Sequence, residues 1–114
     1  MIKMGFKTEF NWALKLKPEQ GLAEDLKVDG IYSFSKDEYR VYPVGVPIDL
    51  LNDLWEVIAK VVIVKCINHD EKTEGKYKVI KIYKGKEKEI LTQYWRETVG
   101  YFTKLTDLSN TKAT

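Results

Sequence analysis

Cys66 and His69 stand three positions apart, the Cys-x-x-His spacing of half a zinc site. A structural zinc takes four protein ligands, and a catalytic one takes three plus a water. The chain holds no second Cys or His, so Asp70, Glu71 and Glu74 would have to complete the shell. The pattern reads instead as a core thiol beside a solvated loop imidazole, and no metal or other cofactor is expected. Nucleophilic use of Cys66 with His69 as base meets the same objection, because neighbours on a strand end and its loop rarely point at each other. The acidic pairs Asp37/Glu38 and Asp49/Asp53 lie in turn-like sequence, where Asp and Glu are ordinary. Gly45 and Gly85 are isolated, so the chain has no Gly-rich phosphate loop. Catalysis is not expected.

A second constellation points to binding. Lys76, Lys78, Lys81, Lys84, Lys86 and Lys88 fall within thirteen residues, with Tyr77 and Tyr83 interleaved and Tyr94, Trp95 and Arg96 close behind. Phosphates need mobile cations and unstacked bases need flat π surfaces. Read as a strand, Lys76, Lys78 and Lys84 share one face, and Lys81 shares the other with Tyr77 and Tyr83. The candidate nucleic-acid-binding residues are therefore Lys76, Tyr77, Lys78, Lys81, Tyr83, Lys84 and Lys86. No recognition helix is evident, which favours RNA or another single-stranded nucleic acid over duplex DNA. The competing reading is that edge lysines keep a Val-rich sheet from aggregating. A different class of partner, another protein or a second copy of the chain, would use an aromatic patch. Tyr39, Tyr42, Pro43 and Pro47 with Trp55, or the segment from Trp95 to Phe102, could supply it.

These residues need a scaffold, and its centre is the run from Trp55 to Ile67, which has neither Gly nor Pro and is dominated by Val and Ile. β-Branched residues suit a pleated surface. Alternation puts Trp55, Val57, Ala59, Val61 and Ile63 on one wholly apolar face. The opposite face is mixed up to Lys60 and apolar beyond it, as in a strand buried on both sides within a barrel wall. Lys76–Lys84 is its antiparallel partner across a polar loop, Asn68–Gly75. Tyr77 and Val79 fall on one face and Ile80 and Ile82 on the other, so a β-bulge near Val79–Lys81 is predicted.

Upstream, Lys7–Lys17 holds a one-sided strand that Pro18 ends, and Pro18–Leu26 suits one or two helical turns interrupted by Gly21. Asp29-Gly30 is a turn signal, with short strands expected at Ile31–Ser35 and Tyr39–Tyr42. Pro43 and Pro47 bracket an extended edge or crossover, and Ile48–Leu54 reads as a helical turn or a bend. For Glu87–Phe102 the spacing of Ile90, Leu91, Tyr94, Trp95, Thr98 and Phe102 predicts a helix, with a final extended arm as the alternative.

The whole predicts an α+β fold, mainly β: a small antiparallel β-barrel of five or six strands with one or two short helices. The 114 residues fit one domain over 1–106 with a polar tail at 107–114. Nineteen basic and seventeen acidic residues give a net charge of +2, so overall charge argues for no polyanionic partner. No stretch approaches the ~20 apolar residues of a membrane helix. Met1–Phe6 lacks a signal-peptide run, and the lone Cys66 suggests no oxidising compartment, so a cytoplasmic protein is expected. The richness in Lys and Glu over Asn and Gln leans toward a thermophile.

Leu14-Lys-Leu-Lys-Pro-Glu19, followed by a short helix and the Asp29-Gly30 turn, resembles the opening of ASCH-type domains of the PUA-like group. That resemblance spans roughly residues 10–85 and implies a small β-barrel linked to RNA. The ASCH pattern has Lys, Glu and Arg at alternating positions after the turn. This chain has Ile31, Tyr32, Ser33 and Phe34, so those site residues do not carry over. The Tyr-Arg-Val-Tyr-Pro…Pro-Ile core at residues 39–48 is similar to one in small prokaryotic proteins of unknown function.

Overall fold

A computed structural model describes the backbone of residues 11–113 and the side chains of residues 11–100. The Val/Ile run forms the longest strand. In chain order the elements are β1 (Ala13–Lys15), a 3-10 turn (Pro18–Gln20), β2 (Ile31–Lys36), β3 (Pro47–Leu51), β4 (Val57–His69), β5 (Lys72–Ile82) and α1 (Gly85–Ala113). The five strands make one curled half-barrel sheet in the order β1-β3-β4-β5-β2. β1 runs parallel to β3, and every other pair is antiparallel. The expected closed antiparallel barrel is thus corrected to a mixed, open sheet, whose edges β1 and β2 are not paired with each other.

The hairpin forms as the alternation requires. Val57, Ala59, Val61 and Ile63 of β4 are fully buried, and Tyr77 and Val79 of β5 face the same way. Lys60 pairs with Lys81 and Val61 with Val79, so Ile80 is the extra residue, a bulge where the slipped alternation predicts one. A second irregularity leaves Val64 between the Ile63–Tyr77 and Lys65–Lys76 pairs. Bulges bend a strand and increase its twist, and these two curl the sheet. Gly75 permits the second. A Cβ there would stand 2.1 Å from the Lys65 carbonyl oxygen.

Several expectations fail for identifiable reasons. The polar loop at 68–75 is instead paired almost to its tip. His69 pairs with Lys72, and the turn is Asp70-Glu71 alone, both with positive φ (49° and 63°), as a type I′ hairpin turn demands. Residues 39–42 form no strand, because their backbone bonds go elsewhere. Arg40 N–H donates to the Thr73 hydroxyl at 2.8 Å, and that hydroxyl donates to the Glu38 carbonyl at 2.8 Å. Ile48–Leu54, expected as a helical turn or bend, contributes β3, with Pro47 at the strand's first position, where no N–H is missed. The β4 face expected to be buried beyond Lys60 leaves Val64 exposed. Residues 87–102 are helical, and the helix continues through 107–113, the expected tail. The expected strand at 7–17 keeps only Ala13–Lys15 as strand within the described residues, and positions 7–10 lie outside them.

Two apolar clusters hold these elements. The larger joins Leu14, Leu16, Phe34, Tyr42, Ile48, Leu50, Ala59, Val61, Ile63, Tyr77 and Val79. The smaller, Leu51, Val57 and Tyr83 with Ala13, Trp55, Leu91 and Trp95, seats α1. Asp49 ties the seat together. One carboxylate oxygen accepts from the Tyr83 hydroxyl and the other from Trp95 Nε1–H, each at 2.9 Å.

Candidate nucleic-acid interface

The structure divides the seven residues expected to bind nucleic acid. Lys76 and Lys78 stand on the solvent side of β5, Lys84 is exposed before the helix, and Lys86 is exposed in its first turn. Lys81 is exposed and pairs with Glu87 at 2.9 Å. The two tyrosines are not on this surface, which corrects the stacking role expected of them. Tyr77 is fully buried between Tyr32 and Phe34, with ring centroids at 5.6 and 6.3 Å. Its hydroxyl donates to the Gly21 carbonyl at 2.8 Å, and burial pushes the phenol up to about 12. Tyr83 turns under α1 past the Ile80 bulge, and burial followed by its bond to Asp49 raises its phenol as well. The register brings two unexpected lysines to the exposed face. Lys60 lies opposite Lys81, and Lys65 opposite Lys76.

Cys66 and His69 occupy β4 three positions apart, so their side chains leave opposite faces. Burial raises the Cys66 thiol. His69 Nε2 lies 2.6 Å from a Glu74 oxygen, and the hydrogen bond to that carboxylate raises the imidazole. Among the described residues no His/Cys/Asp/Glu group could hold a metal ion.

Cations and aromatic rings do meet, but elsewhere. A groove of about 730 Å³ is lined from both sheet edges, the segment after β2, the turn before β4 and one face of α1. Lys15 comes from β1, Lys17 follows it, Lys36 ends β2, and Glu38, Arg40 and Tyr42 follow. Trp12, Trp55 and Trp95 supply indoles. The groove thus holds four cations against a single carboxylate, Glu38, which pairs with Arg40 at 2.8 Å.

Local sequence explains how each group is held. The Asn52 side chain accepts from Leu54 N–H and Glu56 N–H at 3.0 and 2.9 Å, an Asx turn. That turn carries Trp55 into the left-handed region at φ 62°, so β4 starts at Val57 and not at Trp55. A bulky residue at positive φ costs of order 1–3 kcal/mol and persists only where surroundings impose it. Here the Arg96 guanidinium also clamps the turn, donating to the Leu54 carbonyl at 3.0 Å. The result is an indole with the Lys15 ammonium 4.3 Å from its ring centroid, a cation–π pair.

Lys36 is the least ordinary member. It follows Tyr32 and Phe34 on the inward face of β2 and is only 8% exposed. Its ammonium makes no hydrogen bond or ion pair within the described residues. Desolvation, then the nearby positive charge of Arg40, hold it below the usual lysine range, with Glu38 opposing. Burial likewise raises the neighbouring Tyr42 phenol. Lys36 and Tyr42 escape a search for charge clusters because they lie far from any lysine run. The legible signal was phase: Lys36 falls two residues after Phe34, where the alternation calls for an apolar side chain.

No family model and no curated protein matches this chain. Among solved structures it is similar to the protein ytmB from Bacillus subtilis, a structural genomics target, at 26% identity and a TM-score of 0.55. The match covers 70% of this chain and 95% of ytmB. No helix among the described residues is long and apolar enough to cross a membrane.

Proposed function

We propose that this protein is a non-catalytic binding module for single-stranded nucleic acid, RNA first, and that the groove rather than the hairpin is its contact surface. The observation that carries this reading is the charge imbalance of the groove: four cations and one carboxylate beside three indoles, in a chain whose net charge is only +2. A ligand that satisfies both needs anionic groups and flat rings in alternation, which is the chemistry of an unpaired nucleotide strand. Lys60, Lys65 and Lys76 on the outer sheet face add a diffuse positive field that speeds encounter. The segments resembling the ASCH-type domains support the same choice, because those domains are linked to RNA.

The test is anisotropy of a labelled single-stranded RNA titrated with protein across a salt series. Log affinity should fall linearly with log salt, with a slope of roughly 0.7 per phosphate neutralised. Lys15→Glu combined with Arg40→Glu should reduce affinity by about a hundredfold, since two charge-assisted contacts become repulsive. Binding that ignores both salt and the double substitution would end the proposal.

A further inference from the structure

Lys36 is the least exposed of the groove cations and forms no ion pair among the described residues, with the Glu38 carboxylate near it but committed to Arg40. Its stem is buried in the sheet while its unpaired ammonium, which is not an enclosed atom, opens on the groove, where an anion can reach it. Arg40 is answered by Glu38, whereas Lys15 has an aromatic ring and no carboxylate. Three positive charges lining the groove, Lys15, Lys17 and Lys36, therefore have no carboxylate partner among the described residues. An internal phosphodiester carries one negative charge and would answer only one of them. A phosphate monoester carries about −1.5 to −2 at pH 7, and its three terminal oxygens accept from several donors at once.

We infer that the inner end of the groove docks a phosphate monoester, with Lys36 as its direct cation and Lys15 and Arg40 flanking it. On the nucleic-acid reading of the groove, on which this rests, the monoester is the terminal phosphate of an oligonucleotide or that of a nucleoside monophosphate. The low exposure of Lys36 fits a chain end better than a strand running through, because a continuing backbone needs an exit on the far side. Trp55, with Lys15 against its ring, stands where the first base would stack.

The test compares one single-stranded RNA in three forms, 5′-phosphorylated, 3′-phosphorylated and with hydroxyl at both ends, by anisotropy at fixed salt. Adenosine monophosphate, adenosine and inorganic phosphate are titrated by tryptophan fluorescence. One phosphorylated end should bind about tenfold tighter than the hydroxyl form, the size of one charge-assisted contact. Lys36→Met should erase that preference, and Lys36→Arg should retain it. Lys36→Met should also melt no lower than the parent, since it removes an unpaired charge and keeps the volume. Equal affinity for all three RNAs overturns the monoester site while leaving the nucleic-acid reading intact. Binding of the monophosphate and phosphate, but of no RNA, sustains the site and overturns that reading. Failure of every ligand overturns both. These comparisons are made on the unaltered protein, so they stand even if Lys36→Met does not fold.

Discussion

His69 is the chain's single imidazole, and it is held between Glu74 at 2.6 Å and Asp70 at 3.6 Å. The hydrogen bond that the ring donates to Glu74 is the larger influence, and both carboxylates favour the protonated ring. A raised value in the folded state means that the stabilisation is fully present below the unfolded value of about 6.5 and is lost as pH rises through the folded one. Proton NMR of this one histidine should give a midpoint above 6.5, and Glu74→Gln should bring it down. A midpoint at or below that value would falsify the pairing. The ring is exposed, so little change in melting is expected. Lys36 differs in kind. It is nearly enclosed, and its environment opposes its charge instead of supporting it.

At the scale of elements, the link between helix and sheet narrows to Asp49. Its two oxygens take the Tyr83 hydroxyl and the Trp95 indole N–H, and Thr92 accepts from Val57 N–H at 3.0 Å. Asp49→Ala leaves two donors in the helix seat unanswered and should cost about 2 kcal/mol in urea unfolding. Asp49→Asn, which keeps one acceptor, should cost less. An alanine variant as stable as the parent would show that apolar packing alone seats the helix. Which elements the sequence reveals follows from how local their causes are. The β4–β5 hairpin and its bulge are written in alternation and its slip, and α1 in three- and four-residue spacing. β3 was hidden because Ile48, Leu50 and Leu51 do not alternate cleanly and Pro47 reads as a breaker. The segment at 39–42 looks like a strand, yet it is captured by the side chain of Thr73, more than thirty positions away. The parallel β1–β3 pairing and the groove depend on such distant contacts, so a linear reading found the cations of one hairpin and missed those that β1, β2 and the residues after each bring together.

For the whole molecule the question is which positive surface matters. If the groove is the contact site, Lys65→Glu with Lys76→Glu should slow association and reduce affinity severalfold, well short of the loss from Lys15→Glu with Arg40→Glu. Stopped-flow binding separates the two. The hairpin variant should change the association rate and the groove variant the dissociation rate. The reverse ranking would return the function to the hairpin.

Lysine facing lysine across neighbouring strands, at 65/76, has a further consequence. Like charges directly opposed weaken a sheet, and dissolved ions shield them. Raising ionic strength should therefore raise the urea-unfolding midpoint of the protein alone, and, if the groove binds a polyanion as proposed, weaken that binding. A buffer chosen to keep the chain folded and one chosen to keep it loaded would then differ.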